Sequence, residues 1–422
     1  MAKLTPKPTP ELRRVLDHFC GGRVPAGLTL HRVDDIAQRG TGHTPDKKHP
    51  EYWDGGVRWV SLADSHRLDR VFIGETEHTI SQAGLANSSA VLHPEGIVML
   101  SRDAGVGKSA VSTCPLAVSQ HFVVWRCGED LHNLYLYYWL QFMKPEFERI
   151  ANGSTIKTIG MGYFNRFQML APERPAQERI ASCLYAWDRA LAKVNQLIRV
   201  RRKLKRGLLQ QLLTGQRRFA EFRGEPWVER PFGEVLTESR VPGSHGGSAQ
   251  KLSIRLYGKG VYTRTDRTGG SDQTQYHRRS AGQLVYSKLD FLNGAFGLVP
   301  DELDGYESTL DVPAFDISAS VDPRWLLYLL TWPGFYKRQL GIAHGGRKAR
   351  RVNPEHFLKL AWPMPKRNEQ KRIAEALSTL DRELELLVGM ERSLQSQKKG
   401  LMQKLLTGEL RVSTGMEVMT NG

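Results

Sequence analysis

One stretch of this chain occurs twice, and that repetition narrows what the chain can fold into. Residues 177–215 read QERIASCLYAWDRALAKVNQLIRVRRKLKRGLLQQLLTG, and residues 370–408 read QKRIAEALSTLDRELELLVGMERSLQSQKKGLMQKLLTG; the shift is 370 − 177 = 193, with no gap. Arg179, Ile180, Ala181, Leu184, Asp188, Arg189 and Leu191 recur as Arg372, Ile373, Ala374, Leu377, Asp381, Arg382 and Leu384, and both copies end in Leu-Leu-Thr-Gly. Apolar residues fall at Ile180, Leu184, Trp187, Leu191, Val194 and Ile198, a 4-3-4-3-4 spacing, and the copy gives Ile373, Leu377, Leu380, Leu384 and Leu387. That is the seam of a paired helix, narrower than a globular helix face. No proline interrupts either run, and Thr-Gly is a good helix stop. Each helix would span about 55 Å at 1.5 Å per residue. The spacing fits two unrelated core helices less well than two copies packed on each other as a stiff spacer.

The segments ahead of each copy repeat more faintly. Residues 1–27 are polar and proline-rich around an apolar segment at 12–19, which reads as a tail or short helix. Turn residues GTGHTP (40–45) and DGG (54–56) follow. Strands are expected at 57–62, 91–92, 97–100 and 122–125, a helix at 131–142, a loop at 153–155 and a short strand at 164–170; Pro172 and Pro175 then punctuate. The second half begins near Trp227, with strands expected at 252–257, 284–287 and 295–299 and a helix at 324–332. At the same shift of 193, Tyr135, Leu136, Trp139, Phe142 and Lys144 meet Tyr328, Leu329, Trp332, Phe335 and Lys337, and Gly153, Phe164 and Pro172 meet Gly346, Phe357 and Pro365. Gly96 and Ser101 meet Gly282 and Ser287 at 282 − 96 = 186. The unit is a mixed α/β globule plus one long helix, present twice, which is domain duplication and not a solenoid. The globules diverge most over 28–96 and 227–282, as one scaffold with two reading surfaces would.

A chain of 422 residues has room for two to three domains. A net charge of +16 and a pI of about 9.7 point to a polyanion, nucleic acid first and an anionic membrane second. No apolar run is long enough to span a bilayer and the N-terminus lacks a signal-type apolar core, which favours the cytoplasm. Cys20, Cys114, Cys127 and Cys183 are scattered without a C-x-x-C pair, against a disulfide framework or zinc site.

Catalytic motifs are wanting. GVGKS at 105–109 looks like the end of a phosphate-binding loop, but Arg102 stands where the first glycine belongs, and a turn between strands suits it better. That leaves Lys108 free for a phosphate. The thirteen histidines show no metal-ligand spacing, and no G-x-S-x-G elbow occurs. Asn353-Pro354-Glu355 fails as an amino-methyltransferase motif at the second proline. Basic clusters are the positive signal. Arg199 to Arg206 (RVRRKLKR) lies on the first long helix, where a solvated face or subunit contact competes with phosphate binding. The loop around Arg347, Lys348 and Arg351 and the segment holding Tyr257, Lys259, Tyr262 and Arg264 mix basic, aromatic and hydroxyl groups that serve phosphate and base contacts. In the first globule Thr44, Lys47, Lys48, Arg102 and Lys108 are the analogous candidates. Such loops are also common on ordinary surfaces.

Four motifs in order, GTGHTP…YW…WVSLAD, GIVMLSRDAGVGKSAV, GSTIKTI and the R-I-A…L-L-T-G helix after each globule, make the chain resemble the specificity subunit of a Type I restriction-modification system over nearly its whole length. The resemblance implies an α+β tandem duplication in a pseudo-two-fold arrangement: two target-recognition domains separated by two long antiparallel coiled-coil helices. On that pattern residues 1–27 are a tail, 28–175 and 217–368 the recognition domains, 176–216 and 369–412 the spacer helices, and 413–422 a disordered tail. Each domain would read half of a split, asymmetric DNA site. The chain itself would be non-catalytic and hold no cofactor or metal. It would recruit two modification subunits, which bind S-adenosylmethionine and methylate adenine, and restriction subunits that use ATP and magnesium. The alternatives are a P-loop nucleotide-binding enzyme at 105–109 and a coiled-coil adaptor without DNA contact.

Overall fold

Two helices of 40 residues each, Arg174–Leu213 and Arg367–Leu406, carry the repeated stretch. Both stop where Thr-Gly predicts. Gly215 and Gly408 take left-handed φ angles of 70° and 74°, while the Thr214 and Thr407 hydroxyls donate back to the carbonyls of Gln210 and Gln403 at 2.7 and 2.9 Å. The computed structural model describes residues 7–265, 273–345 and 350–412. It divides into two units, Met1–Asn195 with Gly389–Gly422 and Gln196–Val388, so the division falls inside each long helix and not at its ends.

In the first unit a helix, Pro10–Phe19, starts from the Thr9 cap with proline at its first turn and buries Leu12, Val15 and Leu16, one face at helical spacing. A five-stranded sheet runs in the order Ala37–Thr41, Phe122–Cys127, Val98–Ser101, Ser109–Ser112, Phe72–Ile73, antiparallel except at the last pair. Helix Asn133–Ile150 buries Tyr135, Leu136, Trp139, Leu140, Met143 and Phe147 in the core that also takes Val98, Leu100, Val111 and Trp125 from the sheet. Ile180 and Leu184 join this core from one long helix, Leu405 and Leu406 from the other. Asp188 meets Lys398, so the two helix segments run antiparallel in this unit.

The second unit has the same frame. Its sheet runs Leu236–Ser239, Ala314–Ile317, Leu284–Tyr286, Phe296–Leu298, all antiparallel. Helix Pro323–Thr331 is capped by Asp322, whose carboxylate accepts from the Arg324 and Trp325 amides at 2.9 and 3.2 Å. Phe357 is the counterpart of Phe164; it lies among Phe232, Tyr286, Phe291, Phe296 and Phe315 with no exposed surface. Burying such a ring is worth about 1.5–3 kcal/mol. Leu212 and Leu213 share this core with Ile373, Ala374 and Leu377, and Lys205 pairs with Asp381, so the segments are antiparallel here too. In each unit a two-stranded ribbon, Thr29–Arg32 with Gln168–Ala171 or Val228–Pro231 with Ala361–Met364, leads into the long helix.

The mixed α/β duplication read from the sequence is borne out, with corrections in register. The Tyr138 hydroxyl donates to Asp188 at 2.7 Å and the Tyr328 hydroxyl to Asp381 at 2.7 Å. Likewise the His132 amide donates to Gln177 at 2.9 Å and the Asp322 amide to Gln370 at 2.8 Å. The globular helix therefore matches at a shift of 190 (328 − 138), not 193. Tyr138 and not Tyr135 corresponds to Tyr328, because the chain from this tyrosine to its aspartate is three residues longer in the second unit (381 − 328 = 53 against 188 − 138 = 50). Gly345 has φ of 124° as Gly153 has 123°, and each follows the first residue of a bridge, Asn152–Thr158 or His344–Arg351; Gly346, the counterpart expected from the sequence, lies outside the described residues. Residues 91–92 form no strand; Val91 and Leu92 are half exposed and lead only to a single bridge at His93.

Replacing Asp188 or Asp381 by alanine leaves a tyrosine hydroxyl and a lysine without their acceptor. Each change is expected to lower stability by about 1–3 kcal/mol in urea denaturation, with Tyr138→Phe and Tyr328→Phe costing about 1 kcal/mol.

Candidate functional site

The strand pairing gathers the polar candidates of each unit at one end of its sheet. In the first unit Thr41 pairs with Val123, Ser101 with Phe122 and Leu100 with Ser109, so the chain leaves or enters the sheet at this end four times. Gly42 lies against Val118, where a Cβ would fall 1.6 Å from the carbonyl oxygen, so glycine alone lets the loop after it run so close. The indole N–H of Trp59 donates to the His43 carbonyl at 3.0 Å and that of Trp53 to the Asp46 carbonyl at 3.4 Å. The two rings meet edge to face at 5.2 Å. They hold the loop that carries Thr44, Lys47 and Lys48. Thr44 donates to the Gln120 side-chain oxygen at 2.6 Å, and Lys47 and Lys48 are exposed. Thr44, Lys47, Trp53, Trp59, Ser119, Gln120 and His121 border an open cavity of about 700 Å³.

Arg102 and Lys108 reach the same end but their cations are engaged. Arg102 donates to the carbonyls of Gln120 and Ile159 at 3.2 and 3.1 Å. The Lys108 ammonium donates to the carbonyl and hydroxyl of Ser65 at 3.0 and 2.9 Å. Loop 105–108 joins two antiparallel strands, as the sequence favoured, and no helix follows it to present amides to a phosphate.

In the second unit Arg102 is matched by Lys288, whose amide donates to Asp311 as that of Arg102 donates to His121, at 2.9 and 3.0 Å. His121 is thus matched by Asp311, and Gln120 by Leu310, which is 44% exposed. Arg351 lies 3.4 Å from the Asp311 carboxylate. Tyr257 and Gly258 come to this end because their amides donate to the Asn293 and Gly294 carbonyls at 2.9 and 2.8 Å. Tyr257 is 62% exposed with φ at 59°, a strained setting for a large side chain. It borders a cavity of about 450 Å³ with Lys205, Tyr328 and Asp381. Lys259 is exposed, Tyr262 stacks under the Arg255 guanidinium at 4.6 Å, and the Arg264 amide donates to the Lys251 carbonyl at 2.8 Å. Arg347 and Lys348 lie outside the described residues.

Of the seam residues, Ile180, Leu184, Val194, Ile373, Leu377 and Leu380 are buried, and Trp187, Leu191, Leu384 and Leu387 are partly buried. Of the basic helix run, Arg201 faces Glu383 at 3.2 Å and Lys205 is tied to Asp381, while Arg199, Arg202, Lys203 and Arg206 are exposed. Leu197, Val200 and Leu204 make an exposed apolar row beside them. Among the described residues no group of three or more His, Cys, Asp or Glu is placed to hold a metal ion, and no helix is long and apolar enough to cross a membrane.

Sequence reasoning missed Ser119, Gln120 and His121, whose signal is three polar residues inserted between the buried strands Ala117–Val118 and Phe122–Cys127. It also missed Arg279, buried without a carboxylate partner among the described residues. Its guanidinium donates to Ser308, Ser239 and Val312 at 2.8, 2.9 and 3.1 Å, and burial pushes its pKa down to about 10. It pins the loops that leave the second sheet.

Residues 25–202 match the family described as Type I restriction modification DNA specificity domain. The chain is similar to the MjaIX Type I restriction enzyme specificity subunit of Methanocaldococcus jannaschii, 25% identical over 40% of this chain and 39% of that relative. It is also similar to the putative MjaX specificity subunit of the same organism, 21% identical over 93% of this chain and 96% of the relative. The crystal structure of the Type I restriction-modification S subunit from M. genitalium superposes with a TM-score of 0.54 at 14% identity, over 91% of this chain and 98% of that one. That last likeness is one of fold.

Because the Lys108 ammonium is committed to Ser65, Lys108→Ala is expected to lower stability by about 1–2 kcal/mol, read by urea denaturation, whereas Lys47→Ala leaves stability unchanged.

Proposed function

We infer that this chain, a specificity subunit of the Type I restriction-modification kind, reads a bipartite, asymmetric DNA site, one half through each globule. The observation that carries this reading is the duplicated sheet whose equivalent ends bear different side chains: Gln120, His121 and Arg102 in one unit, the apolar Leu310 with Asp311 and Lys288 in the other. One frame with two chemically distinct ends is what recognition of two different half-sites requires, since phosphate contacts position a protein and base-edge contacts specify the sequence. The net charge of +16 supplies the attraction to DNA.

The chain does no bond chemistry on this reading. Modification subunits that bind S-adenosylmethionine would methylate adenine, and restriction subunits using ATP and magnesium would join them. The exposed row Leu197, Val200 and Leu204, flanked by Arg199, Arg202, Lys203 and Arg206, is apolar enough to dock a partner helix and supports the modification subunit as that partner. A complex assembled on DNA belongs in the cytoplasm.

Two outcomes test the reading. Exchanging residues 28–170 for the corresponding segment of a relative is expected to change one half of the methylated motif and leave the other, read by methylation-site sequencing of cells that carry the chain and its modification subunit. A change in both halves counts against two independent readers. Lys47→Ala and Lys48→Ala are each expected to reduce the slope of log affinity against log salt by about one, because each exposed cation releases one counterion.

A further inference from the structure

The cavity of about 700 Å³ in the first unit holds three polar groups whose hydrogen bonding is incomplete in a directed way. Gln120 is exposed, and its side-chain oxygen accepts from the Thr44 hydroxyl at 2.6 Å. With that oxygen held, the amide nitrogen is left as a fixed donor. His121 is next in the chain and only partly exposed, and its Nδ1 lies 2.8 Å from the Asp103 carboxylate. A carboxylate there accepts from Nδ1–H and so selects the tautomer whose acceptor nitrogen is Nε2. Ser119, which precedes them in the chain, has no exposed surface, and its hydroxyl has no partner among the described residues. A buried hydroxyl without a partner is costly. Trp53 and Trp59 wall the cavity and are themselves tied to the loop that bears Thr44.

A donor and an acceptor on consecutive residues match one base in the major groove. Adenine offers the acceptor N7 beside the donor N6 amine. Guanine offers two acceptors, cytosine a donor amine, and thymine an acceptor beside a methyl group. We propose that Gln120 and His121 are specificity-determining residues that read an adenine in the half-site taken by the first unit, with Thr44 and Asp103 as the positioning residues that fix their polarity. This rests on the DNA-reading function proposed above and adds to it the residues and the base.

The experiment is the methylome of cells expressing the full chain and its cognate modification subunit, for the unaltered chain and for single variants. Gln120→Ala and His121→Phe are each expected to lower discrimination about ten- to a hundredfold at one A·T pair, the same pair for both, with the opposite half-site unchanged. Gln120→Glu keeps the size and the Thr44 bond but presents an acceptor, so the preference at that pair is expected to move toward C·G; this holds the test open where the alanine variant folds poorly. Thr44→Val, which frees the amide, gives a smaller loss at the same pair. Unaltered motifs in Gln120→Ala and His121→Phe overturn the proposal and leave the subunit's function standing. So does a loss at a G·C pair or one spread over both halves. If the unaltered chain directs no bipartite methylation, the functional reading itself fails, and the base assignment falls with it.

Discussion

A single carboxylate on each long helix holds a globule to the helices beneath it. Asp188 accepts from the Tyr138 hydroxyl and pairs with Lys398; Asp381 accepts from the Tyr328 hydroxyl and pairs with Lys205. Each lysine also lies over the ring of the same tyrosine, at 5.4 and 5.6 Å. Burial raises the pKa of both phenols, and the adjacent carboxylate raises it further, so both hydroxyls stay protonated as donors. Three elements meet at one side chain: the globular helix, the long helix that follows it, and the antiparallel segment beside that helix. The contact recurs in both units although the globules above it have drifted apart. Bonds involving a partly buried charge are worth more than surface ion pairs, because loss of one member leaves the others unmatched.

Gln177 and Gln370 complete the attachment at the start of each long helix. Gln177 accepts from the His132 amide and donates to the Pro172 carbonyl; Gln370 accepts from the Asp322 amide and donates to the Pro365 carbonyl. Both are almost fully buried. A glutamine spans donor and acceptor without bringing a charge into the core, which fits a site where two loops and a helix end converge. The variable ends of the sheets are therefore carried on frames fixed from below. Exposed groups such as Lys47 and Lys48 can change there at little cost to folding, whereas Lys108, closed onto Ser65, cannot.

The repeat was legible because paired helices impose a spacing that survives divergence. Ile180, Leu184, Ile373 and Leu377 are buried as their heptad-like positions require. Ahead of the helices the same shift misled by three residues at Tyr135. Aromatic residues at Tyr135 and Tyr138 both match Tyr328 by type, and only the hydroxyl's partner on the long helix tells them apart. At the sheet ends, the turn residues around Gly42 were visible, and Thr44 and Lys47 with them. Gln120 and His121 were not, since a short polar break between two buried strands carries no periodic signal and marks a turn before it marks a site. Arg102 and Lys108 show the opposite failure: positive charge is read easily, but whether it faces solvent or closes onto Ser65, Gln120 and Ile159 depends on chain segments far off in sequence.

Divergence between the two globules follows the same logic. Strand ends must be closed by something, and each unit closes them with different chemistry. Arg102 caps loop carbonyls in the first unit. In the second, Arg279 performs a comparable task from within the core, donating to Ser239 and Val312 at the ends of two strands. In the second unit Asp311 and Arg351 are exposed and Lys288 partly so, whereas in the first unit the equivalent places are taken by His121, Thr158 and Arg102. The two sheet ends thus differ in sign and hydrogen-bonding pattern while the order of their four shared strands is kept. Duplication followed by such exchanges yields two unlike sheet ends without a second fold.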